Sequence, residues 1–206
     1  MAKNEVRIIG GKWRGRKLKF PNAKGLRPSQ DRARDTLFNW LAPWISDARV
    51  LDLFAGSGVL GFEALSRGAQ LADLVDQSAQ VVTALAASKQ RLQANTATIH
   101  RADALTHLAR LPRHPTRATD PARQGHYDLV FIDPPFASPL AAQALDRLLA
   151  LQLLAADALV YLETSKLAAD AFRGEDWEIF RDKTFGDSRA VLLTPNPGAL
   201  SPLNTC

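Results

Sequence analysis

Short apolar runs alternate with longer amphipathic stretches through the middle of this chain. Val50–Phe54 predicts a strand, followed by a glycine-rich turn and a helix over Val59–Ser66. Leu71–Val75 predicts a second strand ending at Asp76, and the alanine-rich Gln77–Ala94 a long helix. Thr98–Arg101 predicts a third strand running into Asp103, and Leu105–Leu111 a short helix. Tyr127–Ile132 reads as a fourth strand, Leu140–Leu154 as a helix and Leu159–Glu163 as a fifth strand. Trp177–Arg181 and Ala190–Thr194 predict a closing antiparallel pair around Lys183–Arg189. Alternation of this kind predicts an α/β fold, a parallel sheet with helices on both faces. Ligands in such folds sit outside the carboxyl ends of the strands. Asp76, Asp103 and Asp133 stand at such ends, and Asp52 lies in the first strand just before its turn.

The flanks differ from this core. Residues 5–20, EVRIIGGKWRGRKLKF, read as strand, Gly-Gly break and second strand, with Gly15 a further turn or bulge. Pro21–Pro28 is a linker. Ser29 is placed to cap a helix reaching Leu41, with Ala33, Leu37, Phe38 and Leu41 as its apolar stripe and Pro43 as its stop. Residues 112–126, PRHPTRATDPARQGH, are expected to form a polar surface loop, and the tail from Pro195 to be disordered. The expected division is 1–28 as a basic hairpin and linker, 29–194 as the main domain and 195–206 as the tail.

Charge sharpens the role of the first segment. Residues 1–34 hold eleven Lys and Arg against two acids, a net +9, while the rest of the chain carries −4. A basic end on a mildly acidic body suggests contact with a polyanion. Arg14, Arg16 and Lys19 lie near Trp13 and Phe20, a mixture suited to phosphates and stacked bases. The single Cys206 excludes a disulfide framework and a cysteine metal cluster, and it fits a reducing cytoplasm. The four histidines show no ligand spacing, so they are expected at the surface and no metal is expected. No segment has the pattern of an export signal or a membrane span.

Gly56-Ser57-Gly58-Val59-Leu60-Gly61 is a literal G-x-G-x-x-G between strand and helix. Alone it suits a dinucleotide, whose pyrophosphate would meet the helix N-terminus. Asp52 argues otherwise, because a carboxylate repels a pyrophosphate and attracts an ammonium. S-adenosylmethionine carries an ammonium and no phosphate. Asp76 is placed to accept ribose hydroxyls from either cofactor, and Asp103 is placed for an adenine amino edge.

The fourth strand ends in Asp133-Pro134-Pro135-Phe136. Two prolines stiffen the backbone and remove its N–H donors. The Asp133 carboxylate and Pro134 carbonyl then present acceptors only, which suits an exocyclic NH₂, and Phe136 can stack on the attached base.

These blocks resemble a known family. RIIGGKWRGRKL, LRPSQDRARDTLFNWL, VLDLFAGSGVLGFEALSRGA and YDLVFIDPPF are similar, in order, to the bacterial 16S ribosomal RNA guanine-N2 methyltransferases. The likeness covers about residues 5–194. Ser29 stands where the family usually has Thr, 112–126 looks longer than usual, and the tail has no counterpart. The resemblance implies a Rossmann-like class I methyltransferase sheet with an N-terminal β-hairpin extension. It implies that Asp52, Phe54, Gly56, Gly58, Asp76, Asp103 and Ala104 surround S-adenosylmethionine. Asp133, Pro134, Pro135 and Phe136 would hold the target guanine, and Arg7, Arg14, Arg16 and Arg27 would approach RNA phosphates. The implied partner is 16S ribosomal RNA in the small subunit or an assembly intermediate; apart from the resemblance, the protein is expected to be a cytoplasmic monomer. An amine methyltransferase acting on other RNA or on DNA adenine shares the DPPF motif. A nicotinamide dehydrogenase would leave that motif and the basic hairpin unexplained, and a non-catalytic assembly factor would not need it.

Overall fold

A computed structural model describes residues 4–21, 31–111, 127–134, 138–165 and 176–200. Arg27, Ser29, Pro135, Phe136, the 112–126 segment, His114, His126 and residues 201–206 lie outside the described residues. In chain order the elements are β1 (Glu5–Arg7), β2 (Lys17–Lys19), α1 (Asp31–Leu41), β3 (Arg49–Asp52), α2 (Val59–Ser66), β4 (Leu71–Asp76), α3 (Ala79–Leu92) and β5 (Ala97–Arg101). There follow α4 (Ala104–Arg110), β6 (Tyr127–Ile132), α5 (Leu140–Ala150), β7 (Leu154–Ser165), β8 (Trp177–Phe185) and β9 (Ser188–Pro195).

The main sheet has the order β5-β4-β3-β6-β7-β9-β8. Strands β3 to β7 run parallel, and β9 and β8 close the edge antiparallel. From β3 the chain winds outward one way to β4 and β5, then returns to β6 on the other side of β3. The switch point therefore lies between β3 and β6, where α/β sheets open a crevice at their carboxyl ends.

Strand alternation sends alternate residues into two cores. One core contains Val50, Leu129, Phe131, Leu159 and Tyr161, packed with buried side chains of α1, α2 and α3. The other contains Leu51, Val130, Val160 and side chains of α4 and α5. Helices cover both faces, as the alternation predicts. In α1 the stripe Ala33, Leu37, Phe38 and Leu41 is buried. Burying each of its larger side chains stabilises the fold by about 1.5–3 kcal/mol.

Several element ends differ from expectation. Helix α5 stops at Ala150 because Gln152 takes a left-handed φ of 53°. Strand β7 begins at Leu154, well before Leu159, and exposed Ala156 and Asp157 occupy a register shift that interrupts its apolar pattern. Strands β8 and β9 extend through Phe185 and back from Ser188, turning at Gly186 (φ 59°). The tail is corrected over Pro197–Leu200, a 3-10 turn whose Leu200 packs on the second core. The expectation of surface histidines is corrected too. His107 is buried, and half-buried His100 accepts or donates a 3.0 Å hydrogen bond with Asp73, the two imidazoles lying 4.5 Å apart.

The N-terminal hairpin shares the first core through Val6, Ile8 and Leu18. All eight residues of α2 are buried, including Glu63 and Ser66. A helix buried all round needs cover on its outer side, and the hairpin supplies part of it. The Glu63 carboxylate accepts the Ile9 N–H at 2.7 Å and pairs with Arg67 at 2.9 Å. The Ser66 hydroxyl donates to the Gly10 carbonyl (2.6 Å) and accepts the Trp13 N–H (2.8 Å). The approach is so close that a Cβ on Gly11 (φ 70°) would stand 1.9 Å from the Ser66 carbonyl oxygen. The Gly-Gly break thus seats the loop on α2.

Candidate active site

The crevice is built from the ends of β3, β4, β6 and β7. Asp52 closes β3, opposite Phe131 of β6, and Phe131 lies opposite Tyr161 of β7. Asp133 and Glu163 each follow two residues later. By alternation Asp52, Asp133 and Glu163 project from the same face of the sheet.

Asp52 is 2% exposed, and its Oδ2 accepts the Gly61 N–H at 3.1 Å. Gly58, which precedes α2 with φ 73°, has no side chain to cap the helix. Asp52 takes over that function from the neighbouring strand, and its negative charge suits a helix N-terminus. The fit around Gly61 is tight, since a Cβ would lie 3.1–3.3 Å from Leu74 and the Asp52 carboxylate and both would have to give way by a few tenths of an ångström. At Gly58 a Cβ would meet Leu85 at 2.4 Å.

The glycine turn is held by carboxylates. Asp76 Oδ2 accepts the Gly56 N–H at 3.1 Å and Oδ1 accepts the Ser78 N–H at 2.8 Å. Val59 N–H donates to Ser57 Oγ at 3.3 Å, and Gly58 N–H to the Ala55 carbonyl at 2.6 Å. The donors of Gly56, Gly58, Val59 and Gly61 are therefore engaged within the protein. A pyrophosphate bound in the dinucleotide manner would need such donors free.

Asp103 is the exposed N-cap of α4, and Thr106 donates both its N–H (2.9 Å) and its hydroxyl (3.0 Å) to it. The Thr106 N–H, foremost among these donors, holds the Asp103 carboxyl below its usual range. Ala104 is buried at the start of the same helix, and half-buried Phe54 packs on the second core.

Asp133 and Pro134 follow β6 directly, with Pro134 buried and Asp133 half-buried. Desolvation, then the charges of Glu163 and Asp52, push the Asp133 carboxyl up to about 8. Burial likewise pushes Asp52 to about 7, with the Gly61 N–H opposing and the Asp76 charge adding to the rise. Glu163 is raised too, mainly by desolvation, while the Ser188 and Tyr161 hydroxyls oppose the shift. None of the ion pairs found among the described residues includes Asp52, Asp133 or Glu163. Such clustered carboxylates are suited to a cationic ligand, whose charge relieves their repulsion.

The structure thus brings Asp52, Asp76, Asp133 and Pro134 to one crevice, with Gly56 and Gly58 in its loop. Glu163 joins them without having been singled out as a site residue. Its signal was an acid closing the apolar run LVYLE, the same signal that marked Asp76 and Asp133.

Arg7, Arg14 and Arg16 lie on the hairpin with exposed side chains. Arg16 donates to the Arg91 carbonyl at 3.1 Å, across a cleft lined by Gly15, Arg16, Lys17, Arg91 and Leu92. Two parts of the basic-aromatic reading change. Trp13 and Phe20 are partly buried and pack on the first core, and Lys12 sits 4.5 Å over the Trp13 ring. Arg34 is buried, donating to the Arg7 carbonyl at 2.8 Å and pairing with Asp31 and Glu63.

Comparison with known proteins agrees with this architecture. The family described as "Conserved hypothetical protein 95" matches residues 6–194. The ribosomal RNA small subunit methyltransferase D of Haemophilus influenzae is 42% identical over 187 residues, covering 90% of this chain and 91% of that protein. The protein of the same name from Escherichia coli K12 is 40% identical over 182 residues, covering 88% and 86%. The solved structure of the Escherichia coli yhhF protein matches with a TM-score of 0.80 at 37% identity, covering 94% of this chain and 99% of that one. With most of its length and its fold in common with these proteins, the chain belongs to the conserved hypothetical protein 95 family, that of the small subunit methyltransferase D proteins.

Proposed function

We propose that this protein transfers a methyl group from S-adenosylmethionine to the exocyclic N2 amine of a guanine in 16S ribosomal RNA of the small subunit. The observation that carries the reading is the crevice at the switch point. It brings the carboxylates of buried Asp52 and half-buried Asp133 and Glu163 to one face of the sheet, beside buried Pro134. The names of the relatives, which act on small-subunit ribosomal RNA, support the substrate class.

The residues fit the cofactor by charge. S-adenosylmethionine supplies an activated sulfonium methyl when bound, and its ammonium and sulfonium are cations with no phosphate. Asp52 and the Gly56–Gly58 turn would border its methionine part, Asp76 its ribose, and Asp103 with Ala104 its adenine. A dinucleotide fits less well, because Asp76 and Asp52 occupy N–H groups of the turn and the helix start.

Asp133 and the Pro134 carbonyl accept the two hydrogens of the target amine. Guanine N2 is a weak nucleophile because its lone pair is delocalised into the ring. Two acceptors aim that lone pair and draw the nitrogen toward tetrahedral geometry, so that alignment supplies much of the rate. The Asp133 charge stabilises the positive nitrogen as the N–C bond forms. In the empty crevice Asp133 holds its proton up to about pH 8; the cations of S-adenosylmethionine beside it would return it to the ionised form, free to take the departing proton. A base-paired guanine cannot offer its amine this way, so the target is unpaired or flipped out, with Phe136 placed in the sequence to stack on it.

The test is nucleoside mass mapping of ribosomal RNA from cells lacking the protein. One N2-methylguanosine of 16S RNA should disappear and return with the purified protein and S-adenosylmethionine. An unchanged 16S RNA would sink the reading.

A further inference from the structure

Glu163 lies beside the amine-binding turn and has no part in the mechanism above. It is one position past the Ile132–Leu162 pair that joins β6 to β7, and Asp133 is one position past it on the other strand. Adjacent strands are about 4.8 Å apart, so the two carboxylates stand side by side at the carboxyl ends of β6 and β7. Glu163 is half-buried, and the Tyr161 hydroxyl donates to its Oε2 at 3.4 Å. Ser188, opposite the end of β7, donates its own hydroxyl to the Phe185 carbonyl at 3.2 Å. The Tyr161 hydroxyl steadies the carboxylate and leaves acceptor capacity for a ligand, since a carboxylate offers about four lone-pair sites.

The purines differ at the position next to the reactive amine. Guanine carries N1–H beside its N2 amine, a donor beside a donor. Adenine carries bare N1 beside its N6 amine, an acceptor beside a donor. Asp133 and Pro134 offer acceptors to an amine of either base, so they do not choose between them. A second carboxylate on the adjoining strand does choose, because it accepts from N1–H and repels the lone pair of a bare N1.

We propose that Glu163 is a guanine-specificity residue, its carboxylate accepting the N1–H of the target base while Asp133 and the Pro134 carbonyl hold the N2 amine. The inference rests on the guanine reading above. Burial raises the Glu163 carboxyl in the empty crevice, and an N–H donor together with a nearby cation would return it to its ionised, accepting form.

The test uses 2,6-diaminopurine at the mapped target position of a small-subunit substrate. This base keeps the N2 amine and replaces N1–H with a bare acceptor. The full-length protein should methylate guanine about 100-fold more efficiently than diaminopurine, since an unmatched buried polar group is strongly rejected. Glu163→Gln offers an amide that can accept from N1–H or donate to bare N1. It should lose about tenfold on guanine and bring the two bases within about tenfold of each other, with cofactor affinity unchanged. A wild-type enzyme indifferent to the exchange would overturn the proposal, and that measurement needs no variant. A Glu163→Gln enzyme that keeps the wild-type ratio would overturn it as well, leaving the guanine reading intact. Absence of any guanine-N2 methylation by the wild type would instead remove the reading on which it rests.

Discussion

Asp133 shows how a side chain can oppose the stability of the fold that holds it. Its folded pKa is raised from the usual carboxylate value to about 8, and its nearest charges are acids. Between pH 4 and 8 the folded state therefore holds a proton that the unfolded chain has released. Stability falls as pH rises through this window and is unaffected by this group below it. Asp133→Asn removes the charge at constant shape. In the cofactor-free protein its melting temperature should exceed that of wild type by several degrees at pH 8, converging toward pH 4. Methylation should fall by at least about 100-fold, because the charge that stabilises the developing cation is gone, while S-adenosylmethionine still binds. Paired melting curves at the two pH values check the first outcome, and single-turnover methyl transfer checks the second. The acids of this site were legible because an acid ending an apolar run is conspicuous, as at Asp76 and Asp133. Asp52 was legible as a site residue, but its bond to Gly61 was not, since that bond spans nine residues and depends on the strand facing the helix.

At the scale of elements, helix α2 joins the two ends of the function. Its N-terminus abuts the glycine turn, and its far end holds the hairpin through Glu63 and Ser66. Ser66→Ala would leave the Gly10 carbonyl and the Trp13 N–H without their partner. The cost should be about 2 kcal/mol, with a fall of about 4–8 °C in melting temperature for a chain of this size. Thermal unfolding measures the fall, and Ser66→Thr should recover part of it if the hydroxyl is what matters. A melting temperature within a degree of wild type would show that the hairpin is not fastened here. Most of the helices and parallel strands were legible because their periods of 3.6 and 2 were undisturbed. Strand β7 was not, because Asp157 sits at its register shift, and α5 seemed longer because Leu153 and Leu154 continue its apolar run into the next strand. Pairing α2 with the hairpin was beyond the sequence, where Glu63 and Ser66 look like ordinary polar positions of a helix.

For the molecule as a whole, the sequence shows an excess of positive charge in its first 34 residues, and the structure divides that charge. Arg34 is internal, bonded to the hairpin backbone and to buried Glu63, and Lys17 pairs with Glu5 at 3.1 Å. Arg7 and Arg14 remain exposed on the hairpin. This division affects how RNA contact should be tested. Removing the hairpin would uncover α2 and the Glu63 carboxylate, so weaker binding could follow from unfolding alone. Neutralising exposed arginines leaves the buried supports in place. Binding of 16S RNA by Arg7→Gln/Arg14→Gln should weaken at every sequence tested, because phosphate contacts position the RNA and do not read bases. The slope of log affinity against log salt should become shallower by about 0.7 per lost contact on single strands and about 0.9 on duplex. Affinity for S-adenosylmethionine and the melting temperature should be unchanged, since both side chains are exposed on the hairpin and neither belongs to the core. An unaltered salt slope would place the RNA contact elsewhere on the protein, and a loss of cofactor affinity would mean that the hairpin reaches the crevice through α2.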